Sequence, residues 1–320
     1  MATPRCGVIA GPGKIVTPTG TYVTTGDIKI DISRDTRELT SALRGKVGSV
    51  IKGTKLSIKA ELVPIPSYAV ELITMQPSNI GSSIFGCTDA YIDIFGRDGV
   101  KLRFAAGGLR QPGAVKFGDA NLYGEFEWGA VVGNDTDIGT LETVLAVSAA
   151  AFTEPRAAGD ASLWQTKSGV LVWGAAPSAP FDAVISEDTI EIAVKYDLRQ
   201  RMNSRDGMYD ELIKGVTVEV KLKPQEMTVA QLLTKLAVDG PNAVPGLNLA
   251  TIASVMQINT APQAVGDLIC DLSAMVCEGS SLSWGADSNR IGEITLTAVD
   301  SYNSDTSALN ALYAFSLHAA

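Results

Sequence analysis

A single histidine, His318, stands in 320 residues. One imidazole, placed where it reads as a packing residue, speaks against Ser-His-Asp and Cys-His arrangements and against a zinc site that needs two imidazoles. The four cysteines, Cys6, Cys87, Cys270 and Cys277, form no CxxC pair. A chain with room for a proper core needs no disulfide staples, so they read as reduced, mostly buried thiols. GVIAGPGK (Gly7–Lys14) has the glycines of a phosphate loop without its GxxxxGK[ST] spacing: Val8 stands where the first glycine belongs, and Ile15 follows the lysine. No helix opens there to aim N–H groups at an anion. NDTD (Asn134–Asp137) and NSDT (Asn303–Thr306) lack the glycine and distal glutamate of an EF-hand loop and read as turns. Glu125 and Glu127 come nearest to a catalytic carboxylate pair, but alternate residues of a strand share one face, and a solvated face explains them. The expectation is a chain with no catalytic residue, no metal and no cofactor.

Composition narrows the remaining classes. A 46% hydrophobic, 19% charged chain is a folded one, and its length exceeds the roughly 100–200 residues of one domain, so two are expected. No apolar run reaches the roughly 18–20 residues of a membrane helix, and MATPRCGVIAGPGK lacks a basic segment followed by an apolar one. A cytosolic site of synthesis and assembly is therefore expected. A net charge of −9 argues against a protein that grips DNA phosphates, though not against DNA passing close by.

The elements that would carry a function appear twice. IKGTKLSIKAEL (Ile51–Leu62) returns as IKGVTVEVKL (Ile213–Leu222), an offset of 162 positions. At that offset Ile28 falls on Ile190, Ile30 on Ile192, Arg37 on Arg199, Gly45 on Gly207 and Pro18 on Pro180. Toward the end of each copy the offset becomes 168, where Gly124-Glu125 matches Gly292-Glu293 and Ala130-Val131 matches Ala298-Val299. The colinearity predicts a tandem duplication: residues 1–153, a linker EPRAAGDAS at 154–162, and residues 163–320.

Within each copy, alternation sets the elements. Leu56, Ile58, Ala60 and Leu62 alternate with Lys55, Ser57, Lys59 and Glu61; Val216, Val218, Val220 and Leu222 alternate with Thr217, Glu219, Lys221 and Lys223. This is the period of a strand with one dry and one wet face. Ile28, Ile30 and Ile32 form the dry side of the preceding strand, matched by Ile190, Ile192 and Val194. Between these strands SRDTRELTSALRGKVGSV and KYDLRQRMNSRDGMYDEL read as long polar loops. Amphipathic helices are predicted in SYAVELITM and MTVAQLLTKLA, followed by further strands in AYIDIF, VKLRF, YGEFEWGAVV and TVLAVSAAA, with GEITLTAV and ALYAFSL in the second copy. The fold class is mainly β with short α: two copies of a small antiparallel barrel or sandwich, each with one short helix.

The order strand (GDIKIDIS), long Gly-containing loop, strand (KGTKLSIKAEL), proline, short helix (SYAVELITM) and further strands resembles the tail tube proteins of long-tailed bacteriophages, whose fold is shared with the type VI secretion tube. The resemblance covers both copies and is carried by pattern. It implies rings of six such folds stacked into a tube that conducts the genome, hence a homotrimer with pseudo-sixfold symmetry for a doubled chain. It also implies a virion protein assembled in the host cytoplasm, whose partners are itself, other tail proteins and double-stranded DNA in transit, with no membrane anchor. The wet faces would then line the lumen: Lys29, Asp31, Lys55, Ser57, Lys59, Glu61, Glu125, Glu127, Glu191, Glu219, Lys221, Lys223 and Glu293. The long loops would reach the adjacent ring through Arg34, Asp35, Arg37, Glu38, Arg44 and Lys46, and through Asp197, Arg199, Arg201, Arg205, Asp206 and Asp210. The duplication departs from the simplest members and leaves a tail hub or terminator ring open. A two-domain β carbohydrate-binding or adhesive module is a further reading; it expects aromatic platforms, for which Trp164 and Trp173 are the candidates.

Overall fold

The dry positions Leu56, Ile58, Ala60 and Leu62 are each 2% exposed or less, and Val218, Val220 and Leu222 are buried likewise. Around these two strands a computed structural model describes residues 13–74, 81–84, 91–96, 101–104, 107–118, 122–132, 168–173, 183–203, 207–225, 254–261, 265–284, 289–298 and 312–319. The first half contains β1 (Lys14–Thr17), β2 (Gly20–Val23), β3 (Lys29–Ser41), β4 (Gly45–Glu61), β5 (Ile92–Phe95), β6 (Lys101–Phe104), β7 (Gly108–Gln111), β8 (Val115–Phe117), β9 (Leu122–Tyr123) and β10 (Glu125–Val132). The second contains β11 (Ser168–Trp173), β12 (Ala183–Ile185), β13 (Ile190–Asn203), β14 (Gly207–Leu222), β15 (Ser254–Ala261), β16 (Leu268–Trp284), β17 (Asn289–Ala298) and β18 (Tyr313–Leu317).

All the ladders are antiparallel, and the sheets are open: no closed barrel forms among the described residues. The first half holds two four-stranded sheets, ordered β2-β1-β5-β6 and β3-β4-β10-β7. The second half forms one larger sheet, β12-β11-β15-β16-β17-β14-β13-β8-β9, with β18 on β16. Its last two strands come from the first half, so the halves share a sheet.

The pairing of one half recurs in the other. Lys29 pairs with Lys59 and, 162 residues on, Glu191 pairs with Lys221. Both hairpins carry a bulge after the pair Asp35–Gly53 or Asp197–Gly215, and both slip again between Leu39 and Thr40 or Arg201 and Met202. The extra residue of the first bulge is the lysine of IKG, Lys52 or Lys214. The third strand keeps register too: Lys59 faces Glu127 and Ile58 faces Trp128, as Lys221 faces Thr295 and Val220 faces Leu296.

The predicted helix forms as one α turn, α1 (Pro66–Ala69), running into a π turn at Val70–Thr74. Pro66 at its start has the fixed φ a first helical residue needs. Tyr68, Ala69 and Leu72 are buried, and the Tyr68 ring meets Tyr22 edge-on at 5.1 Å. The helix read at MTVAQLLTKLA, the strand at TVLAVSAAA and the linker lie outside the described residues.

Two expectations need correction. The long polar connections are not loops: they are the outer lengths of β3–β4 and β13–β14, paired to within a few residues of their tips, with Gly45 at φ +69° closing the first turn. Their polar residues face water on both sides in the first arm, so alternation vanishes while the ladder continues. The second error is Ile32, expected in the core beside Ile28 and Ile30. It is 63% exposed, whereas its counterpart Val194 is 3% exposed. Ile58→Ala is therefore expected to cost roughly 2–5 kcal/mol and Ile32→Ala less than about 0.5 kcal/mol in chemical denaturation of dilute protein; equal losses would contradict this placement.

Candidate functional site

Strand phase places one polar face across each half. Register sets Lys29 opposite Lys59, Asp31 opposite Ser57, Lys59 opposite Glu127 and Glu61 opposite Glu125. The charges compensate one another across the strands. Glu125 sits 3.8 Å from both Lys29 and Lys59, Lys59 reaches Glu127 at 3.8 Å, and Ser57 donates to Glu127 at 2.9 Å. In the second half Lys116 pairs with Glu191 at 3.3 Å, while Lys195 and Lys221 flank Glu219 at 3.4 and 3.1 Å. The hydrogen bond from Lys221, helped by Lys195, outweighs burial and holds the Glu219 carboxyl below the ordinary range. Lys223 binds Glu187 at 2.5 Å, and Glu293 is exposed. All thirteen residues read as one wet face thus lie on β3, β4, β10, β13, β14 and β17 or directly beside them.

The two halves meet at a charge cluster that alternation did not single out. Glu211 of β14 has a side chain only 1% exposed. Arg110 of β7 donates to it from Nε at 2.5 Å and from a terminal nitrogen at 3.0 Å, a two-pronged contact, and Lys55 of β4 reaches it at 3.2 Å. The other terminal nitrogen of Arg110 binds Glu127, tying the cluster to the polar face. Burial alone would raise the Glu211 carboxyl, but the hydrogen bonds and charges of Arg110 and Lys55 outweigh it and hold the carboxyl below its usual range. Burial likewise opposes the Arg110 charge and is overcome by Glu211 and Glu127, which raise it.

Backbone contacts flank this cluster. The Gln111 side chain donates to the Tyr196 carbonyl at 2.7 Å and accepts from the Tyr196 N–H at 2.9 Å, replacing one residue of a paired strand. Residues 81–84 pair with β14: Gly81 N–H donates to the Ile213 carbonyl, Ile213 N–H to Ser82, and Ile84 N–H to Glu211. Ser83 lies 2.5 Å from Asp210.

The arm residues divide. Arg34, Asp35, Arg37, Glu38, Arg44 and Lys46 are exposed on the first arm, with Lys46 paired to Glu38. Asp197, Arg199 and Arg201 are exposed on the second, with Asp197 3.3 Å from Lys214. Asp210, expected in an outward loop, is 7% exposed and lies inside the chain against Ser83, because the second arm folds along the first half. Arg205 and Asp206, like Trp164, Cys6, Cys87 and the NDTD and NSDT turns, lie outside the described residues. The His318 backbone is tied to Asp267 and Gly266. No group of three or more potential metal ligands occurs among the described residues, and no helix there is long and apolar enough to cross a membrane.

Arg110 and Glu211 are 101 positions apart, and Lys55 and Glu211 are 156 apart, so no local pattern joins them. Comparison with protein-family models gives no match, and no curated protein matches the chain.

Removing Glu211 strands two part-buried cations. E211Q is expected to destabilise the protein by roughly 3–5 kcal/mol in chemical denaturation, and an effect below about 1 kcal/mol would remove the cluster from any structural role. A carboxyl with a depressed folded-state pKa stabilises above its unfolded value, here near 4.5, and loses that contribution as pH falls through the folded value. Wild-type stability should therefore fall below about pH 4.5 more steeply than that of E211Q; parallel acid limbs in thermal melts would contradict it.

Proposed function

We propose that the chain is a structural, self-assembling protein built from two tandem copies of one fold, and that it forms rings stacking into a bacteriophage tail tube. The observation that carries this reading is the recurrence of β3-β4-β10-β7 as β13-β14-β17-β16, bulges included, with the two units side by side and joined edge to edge. A doubled unit already packed against its own twin is half of a repeating contact. A contact between unlike surfaces either closes into a ring or propagates, and three chains supply six units.

The polar face supports the same reading. A surface that conducts DNA must be hydrated and must not clamp phosphates. Here the lysines Lys29, Lys59, Lys116, Lys195 and Lys221 each have a carboxylate within 4 Å, and the whole chain carries net charge −9. Phosphate binding would require lysines free to displace the counterions of DNA, so compensated ones favour passage over capture. Catalysis has no comparable support among the described residues: the buried carboxylate Glu211 is taken up by Arg110 and Lys55.

Electron microscopy and mass measurement of the purified protein over rising concentration test this. Rings of three chains with a central opening and a six-lobed outline, stacking into tubes, are expected. A monodisperse monomer at millimolar concentration, or rings whose centre is closed, would overturn the reading.

A further inference from the structure

The two halves are unequally self-sufficient. Among the described residues, every strand of the sheets β2-β1-β5-β6 and β3-β4-β10-β7 comes from the first half. Their inner strands β1, β4, β5 and β10 each have a first-half strand on both edges. The sheet of the second half ends instead on β8 and β9, contributed by the first half, with Ile190, Glu191 and Ile192 paired to Phe117, Lys116 and Val115. Further along β13 the Gln111 amide closes on the backbone of Tyr196, and on the far side of the hairpin residues 81–84 pair with Glu211 and Ile213. In the other direction the helical segment at Pro66–Thr74 packs on β18, which adds a contact to the first half but no strand to its sheets.

The socket for the second arm is already arranged within the first half. Glu127 of β10 binds one terminal nitrogen of Arg110, and register holds β7 on β10 and β10 on β4, so Arg110 and Lys55 stand on one sheet. Two cations face a single first-half carboxylate there, and Glu211 supplies the missing negative charge. The second arm carries no such arrangement of its own. Tyr196, Asp210, Glu211 and Ile213 are 7% exposed or less, and all four contact first-half residues.

We infer that the first half folds as an independent unit and serves as the template on which the second arm forms, with β8, Gln111, residues 81–84 and the Arg110–Lys55 socket as the templating surface. The joining contacts span 85 positions between Gln111 and Tyr196, 101 between Arg110 and Glu211 and 127 between Ser83 and Asp210. Each is a long loop to close, and closure is rewarded only where the partner surface is already fixed. Synthesis delivers the first half first, with all the strands its sheets need. The covalent tether then presents the β8 edge to β13 at high effective concentration, so β13 pairs within its own chain and its edge is withheld from aggregation. This dependence belongs to the single chain and does not rest on the ring reading.

Native-state hydrogen exchange of the dilute full chain, read by mass spectrometry at rising sub-denaturing guanidinium, tests the order. Peptides from β13, β14, β16 and β17 are expected to exchange through a partial opening in which β1, β4, β5 and β10 stay protected, the latter set exchanging at least about tenfold more slowly. Gln111→Ala removes the amide and leaves the ladders of both first-half sheets intact. It is expected to speed exchange across Tyr196–Ile213 by about fivefold or more, with β1 and β5 unchanged. Exchange of both sets together, or of the first-half set ahead of the second, would overturn the dependence. A Gln111→Ala effect confined to peptides containing Tyr196 would overturn the templating role as well.

Discussion

The edge of β13 has to be satisfied, and most of the architecture follows from how that happens. An edge strand presents alternate N–H and C=O groups with no partner in its own sheet, and these are costly to bury unpaired. The first half provides the partners in two forms: a short strand at Ile190–Ile192, then a glutamine amide at Tyr196. On the far side of the same hairpin, residues 81–84 do the equivalent for Glu211–Ile213. The second arm is therefore held on both edges by sequence from the other half, which is why Asp210, Glu211 and Ile213 are all buried despite lying far out along a hairpin. Glu211 then fixes the alignment. A slip of one residue along β14 would turn its carboxylate away from Arg110 and Lys55 and strand three charges at once.

The IKG tripeptide has a local explanation within this frame. In both hairpins its glycine is the last residue paired before a bulge and its lysine is the residue the bulge leaves unpaired. An inserted residue increases twist and bends the strand. It separates the inner length, where alternation is clean and the dry face packs on the core, from an outer arm that leaves the sheet. The duplicated tripeptide thus marks the bulge at which each arm begins.

Strand phase was legible because one face of β4 and β14 is dry and the other wet, and periodicity reports burial contrast. It failed wherever the contrast disappears. Along Arg34–Lys46 both faces are wet, so a continuous ladder reads as a loop; along Asp210–Ile213 the polar Asp210 and Glu211 are buried with Ile213, so YDEL reads as the end of a polar loop. Ile32 shows the complementary limit: its type and spacing match Val194, yet among the described residues β8 and Gln111 cover the β13 edge and no strand covers that of β3. The Arg110–Glu211–Lys55 cluster had no sequence signal, since its members are brought together by the packing of the halves and share no spacing.

The halves are alike in register and unlike in charge, and the difference has a physical sense. At the offset of 162 the counterpart of Glu211 is Ser49 and that of Lys55 is Thr217, so the buried ionic pin inside the chain has no twin at the open edge. Burying such a cluster carries a desolvation cost that only complete pairing repays. A contact between two halves of one chain can meet that condition once, during folding, because covalent linkage holds the partners at high effective concentration.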